Sequence, residues 1–242
     1  MATDCKNCPL RKRGMFRKMT AEEVRFMRGF KRGELVVNAG STILMEGSNS
    51  PQLFTALHGI GLRYKTLASG ARQVVNFVLP GDFVGLQAGV LGEMKHSVEA
   101  VTPMTLCVFS REDLWSMFRN SPERAYDLTW LAALEEHFMG ETLASVGRRE
   151  GLERVAWGLV KYFSRLDALG IAADDSAPMP FRQQDLADAL GLSLVHTNKL
   201  LRKLREQQVA RWDGDQLRIM DFDKLKDIAG LEDYPVLDRP LI

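Results

Sequence analysis

The sequence predicts an α+β chain: an N-terminal antiparallel β-roll of jelly-roll type, one long helix, and a C-terminal winged helix-turn-helix. Three observations carry that prediction. Short apolar runs punctuated by glycine fill residues 33–109. Glycine then becomes scarce along one sustained helical pattern. Finally, two short amphipathic helices flank a single glycine and run into a hairpin.

The roll is read from many short strands separated by turn signals. Apolar or alternating runs occur at 34–37, 42–45, 53–57, 61–65, 74–79 and 104–109, with Gly40, Gly47, Gly59, Gly70, Gly81, Gly85 and Gly89 between or beside them. From Ser121 to about Val146 the chain reads as one helix that opens with Ser-Pro-Glu, a cap followed by proline in the first turn. Leu128, Leu131, Leu134 and Phe138 recur at steps of three and four, so an apolar stripe lies on an otherwise polar helix. By periodicity alone that stripe either packs on its own domain or forms a dimer seam. Residues 151–169 give a second amphipathic helix, and the proline and acidic residues of 170–180 read as a loop.

Residues 181–206 hold the most informative pattern. Leu186, Ala187 and Leu190 form the apolar face of a first short helix, Gly191 supplies a tight turn, and Ser193 is a good N-cap for the next helix. In that second helix Thr197, Leu200, Leu201 and Leu204 face inward. This is helix-turn-helix spacing, with a second helix suited to a DNA major groove. Between Ser193 and Arg205 stand Lys199, Arg202, Lys203 and Arg205 and no acidic residue, within a chain of net charge +1. Two short runs about Asp213-Gly214 then predict a hairpin, the wing. Ser193, Val195, His196, Asn198, Lys199, Arg202 and Lys203 are the candidate DNA contacts.

Composition bounds the rest. A chain of 242 residues with 45% hydrophobic and 26% charged residues is folded and long enough for two domains. No apolar run is long enough to span a membrane, and the N-terminus lacks the apolar core of a secretory signal, so the expectation is a cytoplasmic protein with no membrane partner. A Gly-rich phosphate loop, a nucleophile elbow and a paired-histidine zinc motif are all missing, and the four histidines are scattered. An enzyme is not expected. The domain reading is 1–20 cysteine-containing segment, 21–120 sensor roll, 121–147 dimerisation helix, 148–222 winged helix-turn-helix and 223–242 C-terminal tail.

Taken together, His58-Gly-Ile-Gly-Leu-Arg-Tyr-Lys65, Asn76-Phe-Val-Leu-Pro-Gly-Asp-Phe-Val-Gly85, the long helix and Asp185-Leu-Ala-Asp-Ala-Leu-Gly-Leu-Ser193 resemble the Crp/Fnr family of bacterial transcription regulators over nearly the whole chain. The resemblance implies a cyclic-nucleotide-binding-like roll and a homodimer seamed by the long helix through Leu128, Leu131, Leu134 and Phe138. It further implies a palindromic double-stranded DNA operator read by two recognition helices, and RNA polymerase as a partner. Where cyclic-AMP-binding relatives carry a ribose-binding glutamate and a phosphate-binding Arg-Ser pair, this chain has Leu86 and Met94-Lys95, so cyclic AMP is not the expected ligand.

Cys5-x-x-Cys8 and Cys107, in the strand Thr105-Leu-Cys-Val-Phe109, resemble part of the Fnr cysteine pattern, which implies a [4Fe–4S] or [3Fe–4S] cluster and a redox or oxygen signal. Gly14 stands near where a third N-terminal cysteine would fall. The residues themselves leave other readings open. Cys107 is compatible with a small buried hydrophobe, and Cys5 with Cys8 is compatible with either a thiol redox pair or a chance pairing in a flexible tail. A small molecule other than cyclic AMP in the roll is the alternative signal. A ligand-sensing module that regulates a protein partner without binding DNA is the alternative function.

Overall fold

A computed structural model describes residues 2–232 and 238–242. The chain divides into two compact units: Met1–Glu136 together with Asp238–Ile242, and His137–Leu237.

The first unit is the roll. Helix α1 (Ala21–Phe30) opens on a capping box between Thr20 and Glu23, and leads into β1 (Lys31–Val37), β2 (Thr42–Leu44), β3 (Gln52–His58), β4 (Gly61–Thr66), β5 (Arg72–Val78) and β6 (Phe83–Val84). Helix α2 (Leu86–Leu91), β7 (Ser97–Ala100), β8 (Met104–Ser110) and α3 (Leu114–Asn120) follow. The strands form two four-stranded antiparallel sheets, ordered β1-β8-β3-β6 and β2-β7-β4-β5.

Strand alternation sorts the side chains. Phe54, Ala56 and Leu106 join Val78, Val98 and Met94 in one apolar core, while Leu53 and Phe109 join a second core with Met27 and Phe30 of α1 and Met117 of α3. The second core also receives Leu128, Leu131 and Ile242. In the Leu79-Pro-Gly-Asp turn, Gly81 has φ +90°, and a Cβ there would meet Phe16 Cζ at 2.2 Å, so both backbone and packing require glycine.

Helix α4 (Pro122–Arg148) runs across the boundary between the units. In the second unit α5 (Gly151–Ala168) buries Val155, Ala156, Leu159 and Leu166 completely. Then come β9 (Ser176–Pro178), α6 (Gln183–Leu190), α7 (Leu194–Glu206), β10 (Ala210–Asp213), β11 (Gln216–Ile219) and α8 (Phe222–Ala229).

Two elements differ from the sequence reading. Within the expected loop 170–180, β9 adds a third strand to the wing, in the order β10-β11-β9. There Ala177 pairs with Leu217, Arg218 binds Asp175 at 2.8 Å, and the Tyr162 hydroxyl donates to the Pro178 carbonyl at 2.7 Å. At the start of the expected tail 223–242 stands α8 (Phe222–Ala229), capped by Asp221, with Leu225 and Ala229 fully buried and Phe222 5.9 Å from Phe163 of α5. Residues 233–237 of that tail lie outside the described residues.

Candidate nucleic-acid interface and cysteine cavity

The second unit builds its exposed basic helix from the core outward. Leu186, Ala187 and Leu190 of α6 are buried, and the Leu190 side chain passes Gly158 of α5 closely enough that a Cβ there would sit 3.2 Å from it. Gly191 ends α6 with φ +64°, the left-handed cap that glycine adopts without strain. Ser193 then caps α7, its Oγ accepting from the His196 amide at 3.2 Å. Thr197 and Leu204 are fully buried, while Leu200 and Leu201 are half-buried.

Those anchors leave Val195, Asn198, Lys199, Arg202 and Lys203 exposed. Val195, Asn198, Lys199 and Arg202 follow i, i+3, i+4, i+7 spacing and share one face. Val195 keeps 67% of its surface open, an apolar group at the N-terminal end of a polar face. His196 is turned elsewhere: a Cβ on Gly151 would lie 2.7 Å from its Nε2, so its ring abuts the start of α5. Arg202 lies 3.6 Å from Glu206, an exposed pair that restrains it little. The wing turns at Gly214, with φ +57°.

In the roll, Cys5, Cys8 and Cys107 come together around one small cavity of about 40 Å³, which Lys31, Arg11, Thr55, Phe109, Leu241 and Ile242 also line. Cys5 and Cys8 bracket a single 3₁₀ turn capped by Asp4, and Arg11 donates to the Cys5 carbonyl at 3.2 Å. Burial pushes the Cys107 thiol up to about 11, against the opposing pull of Lys31, and burial likewise raises Cys5. Both are therefore protonated at neutral pH and poor nucleophiles as folded.

An iron–sulfur cluster usually takes four protein ligands. Among the described residues no three His, Cys, Asp or Glu side chains are placed to share a metal ion. The residues as folded do not fit a cluster. Nor do they fit cyclic AMP: Met94, at the place of the phosphate arginine, is fully buried in the apolar core, and Leu86 packs against the other core.

Elsewhere in the roll Arg63 is buried and binds Glu135 of α4 at 2.9 Å and the Phe83 carbonyl at 3.1 Å, while Asn76 donates to the same Glu135 oxygen at 3.2 Å. His96 lies within their field, and burial followed by the Arg63 charge pushes its imidazole down to about 4.

The four expected seam residues separate. Leu128 and Leu131 are 2% and 5% exposed, within the core of the first unit. Leu134 is half-buried, and the Phe138 ring stacks on Trp157 of α5 at 6.1 Å. The exposed apolar side chains of α4 are instead Tyr126, Met139 and Leu143. Sequence reasoning also missed Lys31, Leu241 and Ile242 as walls of the cysteine cavity. None carries a motif; only strand register and chain topology bring them there.

Comparison with known proteins agrees with this geometry. Residues 34–121 match the model of the cyclic nucleotide-binding domain, and residues 153–228 match the Crp-like helix-turn-helix domain. The nitrogen fixation regulation protein FixK of Bradyrhizobium diazoefficiens is 30% identical over 200 residues, covering 83% of each chain. The transcriptional activator protein FnrL of Cereibacter sphaeroides is 26% identical over 237 residues, covering 93% of this chain and 92% of that one. Among solved structures, FixK2 from Bradyrhizobium japonicum superposes with a TM-score of 0.75 at 24% identity, covering 83% of this chain and 98% of that one, a likeness of fold.

Proposed function

Because this chain belongs to the Crp/Fnr family of transcription regulators, we propose that it acts as a homodimer reading a palindromic DNA operator through two copies of α7, with its signal entering as thiol chemistry at the cysteine cavity of the roll. It is a DNA-binding regulator and not an enzyme.

The open face of α7 is the observation that carries the DNA reading. Asn198 supplies the donor and acceptor pair that matches adenine, Lys199 a point charge for guanine O6 and N7, and Val195 an apolar group for a thymine methyl. Arg202 and Lys203 sit farther along the helix, where phosphate contacts fix register. Two half-sites about one turn, ~34 Å, apart suit two recognition helices. RNA polymerase is the partner on which the bound dimer acts.

The test is fluorescence anisotropy on operator and random DNA across a salt series. Lys199→Ala should weaken operator binding by roughly 10-fold or more and random binding much less, as expected for a contact worth about 1–3 kcal/mol at a base edge. Arg202→Ala should weaken both alike and lower the salt slope by about one. Equal losses on every DNA for both variants would overturn the assignment of these two roles.

A further inference from the structure

The chain leaves the first unit at Glu136 and re-enters it at Asp238, so residues 137–237 are tied to the roll at both ends. The returning segment is built into the unit. Arg239 forms a strand-like bridge with Phe16: its amide donates to the Met15 carbonyl at 2.9 Å, and its carbonyl accepts from the Arg17 amide at 2.8 Å. Its guanidinium binds Asp82 at 2.6 Å, with both side chains at least nine-tenths buried. Farther on, the Thr55 hydroxyl donates to the Ile242 carbonyl at 2.5 Å, and Leu241 and Ile242 are each 5% exposed.

The same segment closes the cysteine cavity. Leu241 and Ile242 stand in its wall with all three thiols, and Arg239 pairs with the stretch that follows Cys5 and Cys8 in sequence. A cavity of about 40 Å³ holds about three or four waters, at roughly 10–15 Å³ of such volume each. A bulky substituent on Cys107 directed into this cavity competes for space with Leu241 and Ile242. Cys107 and Thr55 are fixed in the ladder of β8 and β3. Of the remaining walls, Leu241 and Ile242 belong to a five-residue segment held by a few side-chain and backbone bonds, and this is the part that can leave.

We propose that residues 238–242 are a strap that closes the cysteine cavity, and that modification of its thiols expels the strap, releasing one of the two connections between the roll and residues 137–237. The reading rests on the cysteine cavity being where the signal enters. Strap and thiols gate each other: Leu241 and Ile242 share the cavity wall with the sulfurs, and each opening of the strap exposes them to reagents.

The experiment uses the full chain, reduced, with N-ethylmaleimide as probe. Labelling at Cys5, Cys8 and Cys107 is followed by peptide mass spectrometry, and backbone hydrogen exchange is followed with and without the label. Arg239→Ala and, separately, Ile242→Asn should speed labelling of Cys107 at least 10-fold. In the unmutated chain the adduct should speed exchange at the amides of Arg239, Leu241 and Ile242 at least 10-fold while β4 and β5 keep their protection, which separates release from unfolding. Unchanged labelling in both variants, or unchanged exchange in 238–242 after labelling, overturns the strap. Strap release that leaves operator affinity unaltered upholds the strap and removes the cysteine cavity as the signal's entrance. Altered affinity with the strap still protected removes the strap alone.

Discussion

Helix α4 offers the sharpest test of how this chain divides its apolar surface between folding and assembly. Leu128 and Leu131 lie in the core of the first unit beside Leu53, Phe109 and Met117. Replacing a leucine this deeply buried by alanine removes the transfer energy of the lost atoms and leaves a cavity, at about 2–5 kcal/mol. In a unit of about 140 residues, a loss of about 3 kcal/mol lowers the thermal midpoint by roughly 10 °C. Leu143 is 75% exposed and Met139 45%, so Leu143→Glu and Met139→Glu should leave the fold within about 0.5 kcal/mol. If that face meets its copy, the same glutamates place like charges in a shared apolar seam and dissociate the dimer. Circular dichroism melts and sedimentation equilibrium at one protomer concentration separate the two effects. Leu128→Ala should lower the midpoint at unchanged mass, and Leu143→Glu should halve the mass at nearly unchanged midpoint. The reverse pattern, with Leu128→Ala dissociating the dimer and leaving the midpoint alone, refutes the division drawn here.

Two further outcomes follow from charge and from the thiols. His96 is neutral in the fold down to about pH 4, whereas the unfolded chain takes up its proton near pH 6.5, so this residue's contribution is complete above 6.5 and is lost as pH falls from 6.5 to 4. The loss is of the order of 3 kcal/mol at most. The groups acting on it are Arg63, Glu135, Lys65 and Glu46, and His96→Gln should flatten the urea-midpoint profile across that window; an unflattened profile removes His96 as the cause. Protein purified without oxygen should carry iron and sulfide far below one cluster per chain, since among the described residues no three His, Cys, Asp or Glu side chains are gathered as a ligand set. A brown, air-bleached protein with stoichiometric iron and sulfide would show that the N-terminal segment rearranges to complete a ligand set.

Much of the fold was legible because local chemistry and global packing agree. The glycine-punctuated strands, Gly191 with Ser193, and Asp213-Gly214 each specify a backbone geometry that needs no distant partner. Where the sequence reading fell short, the deciding partner was distant. The segment 176–178 is too short and proline-bounded to read as a strand, yet β11 offers an open edge for it. Residues 222–229 bury only Leu225 and Ala229 completely, beneath a pattern of lysine and aspartate that reads as a polar tail until α5 is set beside it.

The candidate sites divide along the same line. The exposed basic face of α7 is visible as sequence, because Lys199, Arg202 and Lys203 have no acidic residue among them, and Glu206 pairs with Arg202 only at the helix end. Val195, exposed between the Ser193 cap and the buried Thr197, supports the proposed DNA reading, in which a methyl-bearing base edge would partner it. The cysteine cavity is the opposite case. Its three sulfurs were visible, but their spacing could not separate metal ligands from buried thiols, because that choice depends on what fills the space between them. Here that filling includes Leu241 and Ile242, which follow Cys107 by more than a hundred residues and carry no motif. Spacing alone therefore does not decide between metal ligands and buried thiols, and in this fold Leu241 and Ile242 share the cavity with the three sulfurs.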